Sequence, residues 1–135
     1  MKEYLLVGLG GALGAMSRFA VSRALPEVVF VHFPVQIFLI NVVGCLMMGC
    51  VAELLEKLLE LYLIAQASTI KLFLATGFLG GFTTFSSFTL EFGNLVAKNL
   101  DLLAILYVVL SVCIAILGFV IGSKITHLLI SHLFP

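Results

Sequence analysis

Charge is scarce in this sequence. Lysine and arginine number 7, aspartate and glutamate 7, and together they make up 10% of the 135 residues and cancel to a formal zero. Without a basic patch or tail the chain offers nothing to nucleic acid, and without an acidic run it lacks the signature of a disordered arm. Cysteine is equally sparse: Cys45, Cys50 and Cys113 fall inside apolar runs, with no CxxC pair and no histidine at metal-ligand spacing. They read as small buried hydrophobes, with no part in a disulfide or a metal site. No serine or cysteine pairs with a histidine, because His32, His127 and His132 fall in loops or at the C-terminal end. The chain therefore reads as a non-enzyme. The first residues also lack a charged region followed by a small-residue cleavage site, so Met1 to Leu25 is expected to be a retained span.

Apolar length is what the sequence has in abundance, at 62% hydrophobic residues, far above a soluble domain of this size. A bilayer core needs roughly 20 mostly apolar residues per helix. Four runs come close to that, at about 4–25, 35–52, 72–97 and 102–123, and the expected fold is all-α, one transmembrane domain over residues 1–135. Pro26 and Pro34 bracket the first connection, since proline lacks the amide proton and restricts its predecessor. Glu53, Glu56, Lys57 and Glu60 recur at helical spacing among leucines, which predicts that the second helix leaves the bilayer as an amphipathic turn or two. Asn99 and Asp101 mark a tight connection before the fourth helix.

Four spans put both termini on one side with the loop between helices two and three. Lys2, Lys57, Lys71 and Lys124 fall there, against Arg18, Arg23 and Lys98 opposite. Orientation follows an excess of positive residues in cytoplasmic loops, and four against three is no excess. Insertion in both orientations is one reading of this balance, and a single orientation imposed by other features is the other. Dual insertion permits an antiparallel homodimer with its axis in the membrane plane, the arrangement that inverted repeats give transporters. Gly10 with Gly14, and Gly118 with Gly122, are GxxxG pairs suited to close helix packing. GLGGALG is no dinucleotide fingerprint, because its third glycine is off by one and no strand precedes it.

Polar residues inside the spans are the candidates for function. Asn41 lies in mid-membrane between Ile40 and Val42, where an amide must find a partner or line water. A hydrogen bond between helices and an NH2 group donated to an anion are both open. Tyr107 and Ser111 are four apart and share a face, either bonded back to their own helix or forming steps of a polar track. In GFLGGFTTFSSF, residues 77–88, two glycines precede two β-branched threonines, a poor helical core. A break there frees carbonyls that must be satisfied by protein or by a cavity. Carbonyls of broken transporter helices bind cations, and the lack of nearby carboxylates favours a monovalent ion over calcium or magnesium. A plain glycine kink is the alternative. Beyond the break, Phe85 and Phe88 lie on one face and Thr84 and Ser87 on a neighbouring stripe. Ring edges carry positive potential and hydroxyls can replace lost water, so this pattern suits a narrow anion path, although phenylalanines also simply pack.

The same stretch, with GGALGAMSRF upstream, Asn41 in NVVG, and Tyr107 with Ser111, resembles the Fluc (CrcB) family of fluoride channels, from the first helix to the fourth. The resemblance implies four-helix subunits in an antiparallel, dual-topology homodimer in the cell membrane, conducting fluoride passively and relieving its toxicity. It implies a structural sodium ion (Na+) held by the backbone carbonyls of Gly80 and Thr83 from each subunit. It implies a fluoride pathway through Phe85, Phe88 and Asn41, with Thr84, Ser87, Tyr107 and Ser111 beside it. Arg18 is expected near the aqueous vestibule, and Glu91, one turn beyond Phe88, at the border of the path. Ala115 departs from relatives that carry another hydroxyl there. The competing class is a small dual-topology proton-coupled exporter, which needs a titratable carboxylate inside the membrane. Glu3 lies at the membrane edge, and only Glu91 approaches a span's interior.

Overall fold

The computed structural model of the chain describes residues 1–25, 32–60 and 64–133, and among them every regular element is helical. Pro26 lies outside the described residues. Four helical stretches are long and apolar enough to cross a membrane: Lys2–Ala24, Val35–Lys57, Ala67–Ala97 and Asp101–His132. The first is α1 (Lys2–Ala24) and the second belongs to α2 (Val35–Glu60). The third is composite, with α3 (Ile64–Ile70), a π-helical stretch (Lys71–Leu79), one turn α4 (Gly80–Phe82) and α5 (Phe85–Ala97). The last is α6 (Asp101–Leu133). α6 has 33 residues. At 1.5 Å per residue it reaches about 50 Å, well past a hydrocarbon core of about 30 Å.

The helix runs on past the charge-free stretch that ends at residue 123 and brings His127 to α2. Its Nδ1 lies 2.7 Å from Glu53 Oε1, and Ser123 Oγ donates to Glu53 Oε2 at 2.8 Å. These bonds tie α2 and α6 together near the ends of their apolar spans. At the other end of the bundle Gln36 Nε2 donates to the carbonyl of Leu25 at 2.9 Å, fixing the start of α2 against the end of α1.

The tight turn expected at Asn99 is a Schellman motif. Asn99 has φ 58°, its N–H bonds the carbonyl of Val96 at 2.9 Å, and that of Leu100 bonds the carbonyl of Leu95 at 3.0 Å. A left-handed residue there is normally glycine and sometimes asparagine, so the last carbonyls of α5 are satisfied before α6 begins.

Small residues decide how closely the helices approach. α1 lies against the π-helical stretch and α4, and α2 against α6. A side chain at Gly14 would run into the carbonyl oxygen of Phe78, one at Gly81 into the backbone of Gly11, and one at Gly122 into the carbonyl of Leu46. All three contacts are to backbone, which cannot rotate away. Gly14→Val is therefore expected to destabilise the protein by about 1–3 kcal/mol through overpacking. Thermal unfolding in detergent checks this, against Gly8→Val, where no atom stands within 4 Å of the added carbon.

Most of the apolar surface faces outward, where lipid or a second copy of the chain must cover it: Leu102, Phe19, Leu117 and Leu128 are examples. The interior is small and aromatic, with Phe88, Leu95, Ala104 and Tyr107 at its centre and Phe33, Ile37 and Phe38 packed around them.

Candidate polar pathway at the break in the third span

The helix breaks at Thr83 and Thr84, whose backbones are extended (φ −74°, ψ 158° and φ −152°, ψ 121°). The preceding glycines stay helical, and among the described residues no glycine has positive φ. Gly81 allows close approach, since a side chain there would strike the backbone of Gly11, whereas one at Gly80 would meet only the Ala75 carbonyl at 3.8 Å. The Thr83 N–H and Oγ1 both bond the carbonyl of Leu79, at 3.0 and 2.9 Å, which ends α4. Thr84 then caps α5 by accepting from the Ser87 N–H at 3.2 Å.

Asn41, one helix away, holds the break open. Its Oδ1 accepts from the Thr84 N–H at 2.9 Å, and its Nδ2 donates to the Thr84 carbonyl at 3.0 Å. The amide of one side chain thus satisfies both backbone groups of one residue. In an unbroken helix the Thr84 N–H would bond the Gly80 carbonyl, and the Ser87 N–H the Thr83 carbonyl. Here the first goes to Asn41 and the second to the Thr84 hydroxyl, so the carbonyls of Gly80 and Thr83 are released from the helical ladder. Arg18, half-buried on α1, donates from Nη1 to the Thr83 carbonyl at 3.3 Å. Expected at a vestibule, it touches the break itself.

Beyond the break, hydroxyls and rings come together. Thr84, almost fully buried, donates from Oγ1 to Ser87 Oγ at 3.1 Å, leaving the Ser87 proton for a further acceptor. The Phe85 and Phe88 ring centroids are 5.4 Å apart, and Phe88 lies 5.0 Å from Tyr107. The two phenylalanines differ in setting, because Phe88 is 7% exposed and Phe85 75%, its ring pointing out of the subunit. Phe33 meets Tyr107 edge to face at 5.5 Å, a contact that the sequence pattern gave no reason to expect.

Tyr107 Oη and Ser111 Oγ are buried and have no hydrogen-bond partner among the described residues. A buried polar group without a partner costs about 1–3 kcal/mol. Two hydroxyls in that condition lie one helical turn apart on α6. Ser111 lines a cavity of about 230 Å³ together with Asn41, Cys45, Thr83, Phe88 and Ala115. Thr84 and Phe85 also reach it. Tyr107 packs against Phe88 without lining the cavity, and Gly80 belongs to the break. Glu91 is half-buried on α5. Gly44, three residues after Asn41, was not singled out by sequence, yet a side chain there would strike the Thr83 methyl group, so its absence lets α2 close on the break.

Comparison with known proteins shows the family. The family model described as CrcB-like protein, Camphor Resistance (CrcB), matches residues 5–123. A fluoride-specific ion channel FluC of Francisella philomiragia is 41% identical over 118 residues, 87% of this chain and 89% of that protein. Fluoride-specific ion channel FluC 2 of Nitrobacter hamburgensis is 40% identical over 93% of this chain and 98% of its own length. The FluC channel of Ruminiclostridium cellulolyticum is 34% identical over 97% and 99% respectively. These relatives are ion channels, not enzymes. With four apolar spans and a family match from the first helix to the fourth, this multi-pass membrane protein belongs to the CrcB family.

Proposed function

We propose that the chain forms a passive, fluoride-selective channel, as an antiparallel homodimer whose subunits insert in opposite orientations. The observation that carries the reading is the pair of buried hydroxyls, Tyr107 Oη and Ser111 Oγ, left without acceptors beside Phe88 and the cavity. Hydroxyls donate, and an anion accepts without donating in return. Fluoride is small and strongly hydrated, so its passage needs donors spaced closely enough to replace water one bond at a time, and weak enough to release it. Ser87 and Ser111 provide such protons, the second N–H of Asn41 can donate alongside its bond to Thr84, and the aromatic groups make the path narrow and dry. Channel names among the relatives support conduction over proton-coupled export, for which Glu91 is the candidate carboxylate.

The dimer rests on the balanced charges, the outward Phe85 ring and the apolar outer faces, which a second copy would cover. A structural sodium ion fits the break. The carbonyls of Gly80 and Thr83, released from the ladder, are hard oxygen donors with no carboxylate near them, the donor set of a monovalent cation. The Thr83 carbonyl has two lone pairs, so its bond from Arg18 leaves one for an ion. Four such carbonyls from two subunits would bind sodium, which when bound would join the two breaks. Asn41 and Thr84 keep these carbonyls exposed.

Release of fluoride from liposomes containing the purified protein, read with a fluoride electrode, tests the reading. Fast fluoride efflux is expected with negligible chloride leak and no need for a proton gradient. Efflux that depends on a proton gradient and fails in Glu91→Gln would assign the protein to the exporters. Exchange of sodium for a large organic cation is expected to cut efflux by at least about tenfold. Unchanged efflux in sodium-free buffer would remove the cation from the reading.

A further inference from the structure

The three thiols occupy three different surroundings. Cys113 lies on the exposed outer face of α6. Cys50 is half-buried where α2 meets α6, its thiol directed to the Gly122 carbonyl at 3.5 Å. Cys45 stands one helical turn after Asn41 and lines the same cavity as Asn41, Phe88 and Ser111. That cavity has room for several water-sized groups, at about 230 Å³. Its lining is open and largely apolar, and it includes Ser111, whose buried hydroxyl has no partner among the described residues and is left as a donor for a ligand.

We propose that Cys45 makes the pathway a modification site for soft, thiol-seeking cations, so that capping this one sulfur closes the path. The proposal rests on the channel reading above. A two-coordinate organomercurial such as methylmercury chloride needs a single sulfur and no second protein ligand. The Cys45 S–H bond breaks, a sulfur lone pair displaces chloride from mercury to form S–Hg–CH3, and the proton and chloride leave to water. The charge balances and no electron is transferred. The cap then sits between Asn41 and Ser111, where it fills the chamber and replaces a weak S–H donor with an apolar methyl group. Harder cations have no affinity for the thiol and leave the path open. In this chain Ala115 lines the same cavity without a hydroxyl, so the sulfur is the chamber's most reactive group.

The test treats reconstituted wild-type protein, Cys45→Ser and Cys113→Ala with methylmercury chloride, then measures fluoride efflux relative to the untreated sample and maps adducts by peptide mass. Wild type and Cys113→Ala are expected to lose at least about tenfold of their efflux, with an adduct on Cys45 and recovery after excess dithiol, whereas Cys45→Ser keeps its own rate. Chloride leak is followed in parallel, to separate block from membrane damage. Three results would overturn the proposal: no adduct at Cys45 in folded protein, an adduct there with unchanged efflux, or equal loss in Cys45→Ser. If untreated wild type carries no fluoride, the channel reading and the block fall together, and the adduct map still reports whether the cavity admits a cation.

Discussion

Asn41→Asp is expected to reduce fluoride efflux by at least about 100-fold and to weaken the response to sodium, while the four spans still insert. The substitution changes no volume and keeps one oxygen to accept from the Thr84 N–H. It removes the Nδ2 donor, however, and sets a second acceptor against the Thr84 carbonyl, now 3.0 Å from a nitrogen. An unsatisfied buried carbonyl costs about 1–3 kcal/mol, and 2.8 kcal/mol corresponds to roughly 100-fold. An ionised aspartate would also put a negative charge in an anion path. Asn41→Ala leaves both backbone groups of Thr84 bare, so the Thr84 N–H can return to the Gly80 carbonyl and close the helix. Both variants should therefore lose efflux together with stabilisation by sodium, measured as the shift in thermal unfolding midpoint between sodium and a large organic cation. A residue that only met fluoride would lose the first and keep the second. Normal efflux in Asn41→Ala would mean that the clamp is dispensable.

The position of this break was legible, because glycines followed by β-branched residues in mid-membrane announce one. Its cause was not. The glycines stay helical and the extended residues are threonines, whose conformation any residue adopts. What opens the chain is a side chain 43 residues earlier that supplies both backbone partners of Thr84, and sequence spacing carries no trace of so distant a pairing. In the same way, Gly10 and Gly14 read as packing residues and are, whereas Gly44, outside any GxxxG pair, is the glycine that lets α2 reach the break. The π-helical turn ahead of it left no pattern either, since widening a helix by one residue per turn alters no composition. The pair at Tyr107 and Ser111 shares a helical face as its spacing required, but only the fold could tell that neither hydroxyl bonds back to its own helix. The ends of the helices were the least legible: the charge-free run ends at Ser123, while the apolar helix continues to Leu133 with Glu53 on α2 holding Ser123 and His127.

Phe88→Ile carries the second large effect, a fall in fluoride throughput of about 100-fold with the assembly intact. Isoleucine is apolar and close enough in size that the cost to folding stays near about 1–3 kcal/mol, within reach of a membrane protein with many other contacts. What it lacks is a ring edge. Phe88 stacks at a tilt on both Phe85 and Tyr107, at 5.4 and 5.0 Å, so it links the outward ring to the buried hydroxyl. An anion passing from the break toward Tyr107 would meet the positive rim of this ring alongside the hydroxyl donors. An aliphatic group there offers only desolvation, and a few kcal/mol of unreplaced hydration is enough for the expected loss. Phe88→Tyr keeps the ring and should retain far more throughput than Phe88→Ile. Efflux in Phe88→Ile at the wild-type rate, from protein of unchanged oligomeric state by gel filtration, would reduce Phe88 to a packing residue and leave the hydroxyls alone to carry the ion.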